Sequence, residues 1–233
     1  MNKINISQIG IGYWGPNILR ALIKSKHFNI ELVSEISKSR KTYVDQNFNN
    51  INVIENYQDI LDNKNIDAVV ISTPASTHFK LVIDSLKKNK HVLVEKPIAF
   101  DTDQINKINL LSKKKKKTVM AGHTFLYNDA LLKIKNILDN NIIGEIRYIY
   151  TQRLNLGKIR NDIDVIWNLA PHDVSIIQYL LNDITPLTVN SYGQSYLQKN
   201  IYDVAFLNIK YPNNIMANIH VSWLDPTKVR KVT

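Results

Sequence analysis

The 233-residue chain contains no cysteine, which excludes a disulfide framework, a thiolate metal centre and a cysteine nucleophile. It has no apolar run near the ~20 residues a membrane helix needs, and it opens on strand-like sequence rather than a leader. These absences lead us to expect a soluble, cytoplasmic protein without a metal site. Acidic residues are in deficit, 20 against 30 Lys and Arg, for a formal charge of +10. Such an excess raises the question of nucleic acid. The densest basic block, Lys113 to Lys117, nevertheless closes a helical pattern, where lysines suit the negative end of the dipole and a solvated face. The rest is scattered, with no basic stripe interleaved with aromatics, so attraction of an anionic small substrate is the more economical use of the charge.

Glycine is scarce too, at seven residues, and three of them fall in Gly10-Ile11-Gly12-Tyr13-Trp14-Gly15. Before this run lies the apolar Ile4 to Ile9. After it, Pro16 to Ile23 repeats apolar residues at helical spacing, with proline in the first turn where a missing N–H costs nothing. Strand, glycine turn and helix in that order make a dinucleotide-binding loop. Gly10 allows the tight turn, Gly12 the approach of backbone to a pyrophosphate, and Gly15 close packing of helix on strand. The phosphates then lie at the helix N-terminus, beside Tyr13 and Trp14, where free N–H groups and the dipole favour negative charge. Glu35 lies 20 residues past Gly15, at the end of a strand-like run, in the place of the acid that binds the ribose. The plain alternative is a strand-end carboxylate in water. Ser37, Lys38 and Arg40 follow at once and suit a 2′-phosphate, so the sequence leans to NAD without excluding NADP.

With 44% apolar residues the chain has ample material for a core. Strand and helix alternate through the first half, which predicts an α/β, doubly wound parallel sheet over residues 1–123. Residues 124–233 change rhythm. A helix over 129–140, a strand over 146–153 and a helix over 164–181 precede three strand-like runs at 187–197, 204–211 and 215–223. This predicts an α+β open-sheet domain, with the chain stopping just after the third run, before that sheet is complete. Ligands bind at the carboxyl ends of strands in open α/β sheets. Two such ends carry distinctive sequence, Ser72-Thr73-Pro74-Ala75-Ser76-Thr77-His78 and Glu95-Lys96-Pro97, and the proline of the second restricts how Lys96 is presented.

The run Gly10 to Asn17, followed by "DAVVISTPASTH", "KHVLVEKP", "GHTFLYN", "RLNLGKIRND", "IWNLAPHDVSI" and "HVSWLDP", resembles the glucose-fructose oxidoreductase, inositol dehydrogenase and MocA family along the whole chain. Within it the chain looks most like members that oxidise nucleotide sugars for surface-polysaccharide synthesis. The resemblance implies a Rossmann domain followed by a sheet domain that supplies the substrate site and oligomer contacts, hence a homo-oligomer. It implies that Lys96 holds the reacting hydroxyl, that Thr73, Pro74 and His78 line the cofactor, that Glu95 shapes the nicotinamide end, and that His172 meets the sugar carbon being oxidised. Arg153, Asn155 and Gly157 fall in the segment that would line the substrate pocket.

Oxidation of a secondary alcohol needs a hydride acceptor, which NAD supplies, and a proton acceptor, for which His172 has a suitable reference pKa. Lys96 can orient the hydroxyl and stabilise alkoxide charge, or act as the base itself. Two departures stand against this expectation. The family commonly has aspartate where this chain has Asn168, one helical turn before His172, and an amide can position the imidazole but supplies no carboxylate. Members also usually continue beyond the matching C-terminal segment, so the chain reads as truncated. A non-catalytic dinucleotide-binding or scaffolding protein is therefore the competing expectation.

Overall fold

The computed structural model describes residues 3–157 and 159–233, which divide into two compact units at Gly122/His123. The first unit alternates β1 (Ile4–Ile9), α1 (Gly15–Lys24), β2 (Phe28–Ser34), α2 (Lys38–Asn47), β3 (Asn52–Ile54), α3 (Tyr57–Asp62), β4 (Ala68–Ile71), α4 (His78–Lys87), β5 (His91–Val94), α5 (Thr102–Lys115) and β6 (Val119–Ala121). The six strands form one parallel sheet in the order β3-β2-β1-β4-β5-β6. Strand order reverses between β1 and β4, so the crevice at their carboxyl ends is where this architecture takes a ligand. Local chemistry explains the element ends. Asn56 and Asp101 cap α3 and α5 by accepting from Gln58 N and Gln104 N, supplying acceptors for otherwise unpaired amides. The lysines of the 113–117 block at 113–115 occupy the last turn of α5, and Lys116 adopts the left-handed conformation that ends it. The central strands are apolar on both faces, and Val69, Val70, Ile71 and Val94 are fully enclosed.

The second unit contains α6 (Asp129–Asp139), β7 (Tyr148–Leu156), α7 (Val165–Leu180), β8 (Thr188–Gln194), β9 (Val204–Lys210), β10 (Met216–Ser222) and β11 (Leu224–Val232). The sheet order is β11-β7-β10-β9-β8, with β7 and β10 parallel and the other pairs antiparallel. One face of the sheet builds the core: Ile149, Ala205, Leu207, Ile209, Ala217, Ile219 and Val221 pack with Ile176, Ile177 and Leu180 of α7.

Two expectations need correction. The strand expected over 146–153 runs from Tyr148 to Leu156. The chain also does not stop after the third strand-like run, because Leu224–Val232 forms a further strand against β7. Pro226 and the polar pattern around it hide this strand from a search for alternation. At a sheet edge both are tolerated, and the register shift between Leu224 and Val229 carries the proline past the ladder. Among the described residues, no helix is long and apolar enough to cross a membrane.

Candidate functional site

The glycine loop is dictated by what it touches. Gly10 has φ +85°, and a Cβ there would lie 2.5 Å from the Thr73 methyl carbon. At Gly12 a Cβ would meet the Ser72 carbonyl oxygen at 2.8 Å. Thus Gly12 is required by the end of β4, against which the loop is pressed, independently of any phosphate. Gly15, expected to allow close packing of helix on strand, faces Ser72 Oγ and Gln8 Nε2. The Gln8 amide donates to Gly10 O, Gly15 O and Ser72 Oγ, and Ser72 Oγ donates to Gly10 O. Gln8 was not among the residues expected at the site, and Ser72 was expected there only as the first residue of the sequence that ends β4. Their only sequence signal is a polar side chain inside an apolar strand, at Gln8, and one at a strand end, at Ser72.

No side chain caps the N-terminus of α1, and its first turn carries no acid. Its leading amides are therefore suited to an anion. Tyr13 is 78% exposed and Trp14 is also open to solvent beside that terminus. The glycine turn, the close backbone approach and the uncapped helix end together fit the pyrophosphate of a dinucleotide.

Glu35 is only 9% exposed, so it is not a strand-end carboxylate in water. Its Oε2 accepts from Ile11 N at 2.7 Å and its Oε1 from Ser37 N at 2.8 Å. The carboxylate thus spans from the glycine loop to the start of α2, where Ser37 Oγ lies 3.1 Å from Ser39 Oγ and Arg40 is half-buried.

Thr73 and Thr77 hydroxyls are 2.6 Å apart, and Thr77 also donates to Pro74 O. His78 is buried, with Nδ1 2.7 Å from Pro97 O and Nε2 2.9 Å from Thr73 O. It therefore ties the loop after β4 to the loop after β5, holding the backbone immediately after Lys96. The Lys96–Pro97 peptide bond is cis. Burial pushes the Glu95 carboxyl above its usual pKa, and neighbouring Lys96 pulls it back. A Cβ on Gly122 would lie 3.1 Å from Glu95 Oε1, so the glycine lets the carboxyl approach closely.

In the second unit, Arg153 lies on β7. It is buried, and its guanidinium forms a bidentate pair with Asp173, Nε to Oδ2 at 2.7 Å and Nη2 to Oδ1 at 3.1 Å. Asp173 sits on the buried face of α7, where an unpaired carboxylate would be costly. Burial raises its pKa and Arg153 opposes that rise. Arg153 also lies over the Phe125 ring, 4.2 Å from its centroid, and the same ring meets His172 edge-on at 4.8 Å. A stack Arg153–Phe125–His172 therefore joins β7 to α7. Asn155 Oδ1 accepts from Arg230 Nη2, and Gly157 N donates to Trp223 O. Asn168 Oδ1 accepts from the Trp223 indole N–H at 3.2 Å, so the residue that departs from the family pattern satisfies a fully buried donor. Phe125, Asp173 and Arg230 were not anticipated. Asp173 is paired with a residue twenty positions away on another element, a relation that periodicity does not reveal. Lys158, inside the segment expected to line the substrate pocket, lies outside the described residues. Among the described residues, no group of three or more His, Asp or Glu could hold a metal ion.

Residues 4–123 match the model of an oxidoreductase family with an NAD-binding Rossmann fold, and residues 131–232 match a GFO/IDH/MocA C-terminal domain. The chain is similar to 2,7-anhydro-N-acetylneuraminate hydratase of Escherichia coli (strain K12), 24% identical over 230 residues that cover 93% of this chain and 61% of that protein. It is also similar to inositol 2-dehydrogenase/D-chiro-inositol 3-dehydrogenase of Lactiplantibacillus plantarum, 27% identical over 195 residues, 78% of this chain and 53% of that protein. Among solved structures, GenD2 from gentamicin A biosynthesis in complex with NAD superposes with a TM-score of 0.92 at 16% identity, covering 100% of this chain and 69% of that one. At that identity the likeness speaks for the fold alone. The chain spans about three fifths of the length of the curated relatives it matches.

Proposed function

The chain belongs to the GFO/IDH/MocA oxidoreductase family, and from that premise we propose that it is an NAD-dependent dehydrogenase of a secondary hydroxyl on a sugar. The finer reading is a nucleotide sugar, such as a UDP-N-acetylated hexose or its uronate, used in surface-polysaccharide synthesis. The observation that carries the proposal is the glycine loop pressed against the end of β4, with an uncapped α1 behind it and the Glu35 carboxylate fixed to Ile11 N. Gly10, Gly12 and Gly15 with the first turn of α1 would hold the pyrophosphate. Glu35 would hold the adenosine ribose, its negative charge opposing the extra phosphate of NADP. Tyr13, Ser37, Arg40, Thr73 and Pro74 would complete the cofactor's surroundings.

NAD supplies the hydride acceptor when bound. Lys96 orients the reacting hydroxyl and stabilises negative charge on its oxygen, and the His172 imidazole takes the hydroxyl proton. The Phe125 ring packs edge-on against that imidazole. Asn168, bonded to Trp223, keeps α7 in place one turn before His172. The reading places the protein in the cytoplasm. Self-association is supported by Tyr192, Phe206 and Met216, exposed on one face of strands β8 to β10.

The test is titration of the purified chain with NAD⁺ and NADP⁺, followed by addition of UDP-N-acetylated sugars while the absorbance of the reduced nicotinamide is recorded. The proposal expects turnover that Lys96→Ala abolishes while cofactor affinity is kept. Binding without turnover, unchanged by Asn168→Asp, would instead leave a non-catalytic dinucleotide-binding protein.

A further inference from the structure

Charges in the second unit do not balance. Asp173 is the one carboxylate in bidentate contact with Arg153, and Arg230 stands directly across the β11–β7 ladder from Arg153, on the same side of the sheet. Two guanidinium groups thus share one carboxylate, and a net positive charge is left on Arg230. Among the described residues, no carboxylate lies within ion-pair distance of it. Its pKa is lowered, first by burial and then by Arg153, with Asp173 opposing.

Arg230 is nonetheless held in place. Its Nη1 donates to Leu154 O at 3.1 Å and to Val229 O at 2.8 Å, and its Nη2 donates to Asn155 Oδ1 at 3.2 Å. All three acceptors are neutral. A guanidinium has five N–H donors, so Nε–H and one Nη2–H remain for a ligand. An arginine already laid over backbone carbonyls loses little further freedom on binding, and those remaining donors suit a carboxylate or phosphate. The location also matters. Arg230 adjoins Asn155 at the end of β7, two residues before Gly157, and its neighbour Arg153 reaches His172 through the Phe125 ring.

We propose that Arg230 is the anchor for an anionic group of the substrate, a carboxylate or a phosphate, and so selects charged sugars over neutral polyols. The inference rests on the reading of this unit as the sugar-binding part of a dehydrogenase, and adds to it the residue that recognises charge. A purely structural Arg230, stapling β11 to β7, would make the same three hydrogen bonds and bind nothing.

The two are separated with the ¹⁵N-labelled full chain saturated with NAD⁺, by following the Arg230 Nε–H resonance, assigned through its loss in Arg230→Lys. The probes are glucuronate, glucose 1-phosphate and myo-inositol. Glucuronate or glucose 1-phosphate is expected to shift that resonance saturably while myo-inositol leaves it in place. A response to glucuronate alone assigns the anion as a carboxylate, and a response to glucose 1-phosphate alone as a phosphate. Arg230→Lys is expected to weaken the responding probe about tenfold, as loss of a charge-assisted bidentate contact does, with NAD⁺ affinity unchanged. A resonance unmoved by both acids, or equal affinity for acid and polyol, overturns the inference even if the chain reduces NAD⁺ with a neutral sugar. The dehydrogenase reading fails on a different signal, the absence of reduced nicotinamide with any sugar.

Discussion

Replacing Asp173 by asparagine tests the second unit at its most expensive point. The Arg153–Asp173 pair is almost sealed from water, with side chains 5% and 1% exposed, and the guanidinium meets the carboxylate through two hydrogen bonds of 2.7 and 3.1 Å. Asparagine keeps the shape and one acceptor, but it leaves Arg153 as a buried cation without a counterion, beside Arg230. Two unit charges about 4 Å apart at the effective dielectric of a protein attract by about 4 kcal/mol. Breaking a buried pair by removing one partner typically costs about 3–5 kcal/mol. Because one hydrogen bond survives, Asp173→Asn should lie near the lower end, about 3 kcal/mol. Removing both charges is a different matter, since a buried pair gives back in desolvation much of what it gains in attraction. Arg153→Met with Asp173→Leu should therefore lie within about 2 kcal/mol of the parent. The assay is urea unfolding followed by tryptophan fluorescence, which reports the second unit through Trp167 and Trp223. A loss below about 1 kcal/mol for Asp173→Asn, or a double variant less stable than the single one, would refute the reasoning.

Other outcomes follow from the first unit. Gly12→Ala forces a methyl group to within 2.8 Å of the Ser72 carbonyl oxygen, so the loop must lift from β4. Thermal and urea unfolding should show a loss of about 1–3 kcal/mol, and calorimetric titration a weaker NAD⁺ affinity. Glu35→Gln puts an amide where two backbone N–H groups are accepted. Since the NH₂ end cannot accept, urea unfolding should show a cost of about 1–3 kcal/mol, while the affinity ratio of NAD⁺ to NADP⁺ falls. Glu95 has a raised pKa because burial disfavours its charged form. Its favourable contribution is thus full below the ordinary carboxylate range and is lost as pH rises through the raised value. Melting temperatures of Glu95→Gln and the parent should coincide near pH 4 and diverge toward pH 8, with the variant higher. A variant no more stable than the parent at neutral pH contradicts that sign.

Much of the first unit was legible because its signals are local. A glycine turn between an apolar strand and a helix, Glu35 at its fixed interval and apolar β4 announce themselves within short windows. Even so, the reason for Gly12 was not legible, because the Ser72 carbonyl that demands it lies sixty residues away. His78 illustrates the same limit. Its position after the Thr73–Pro74 turn suggested a ligand contact, and the sequence does not reveal that its ring also meets the Pro97 carbonyl oxygen, which only the tertiary fold brings to it. In the second unit, β11 escaped notice because an edge strand with a bulge needs neither alternation nor freedom from proline. Arg153 was expected in a strand-like segment, but its burial depends on Asp173, and nothing in the spacing of the two links a strand residue to the inner face of a helix. Asn168 first read as a weakened catalytic neighbour, and its bond to Trp223 gives it a packing role that the sequence does not express.

Hydride transfer itself can be followed by incubating the chain with NAD⁺ and a UDP-N-acetylated sugar deuterated at its ring carbons, then weighing the reduced cofactor by mass spectrometry. The account predicts reduced nicotinamide carrying one deuterium from the sugar, and none with Lys96→Ala. Cofactor that binds the glycine loop yet never acquires the label, across neutral and acidic sugars alike, would contradict it.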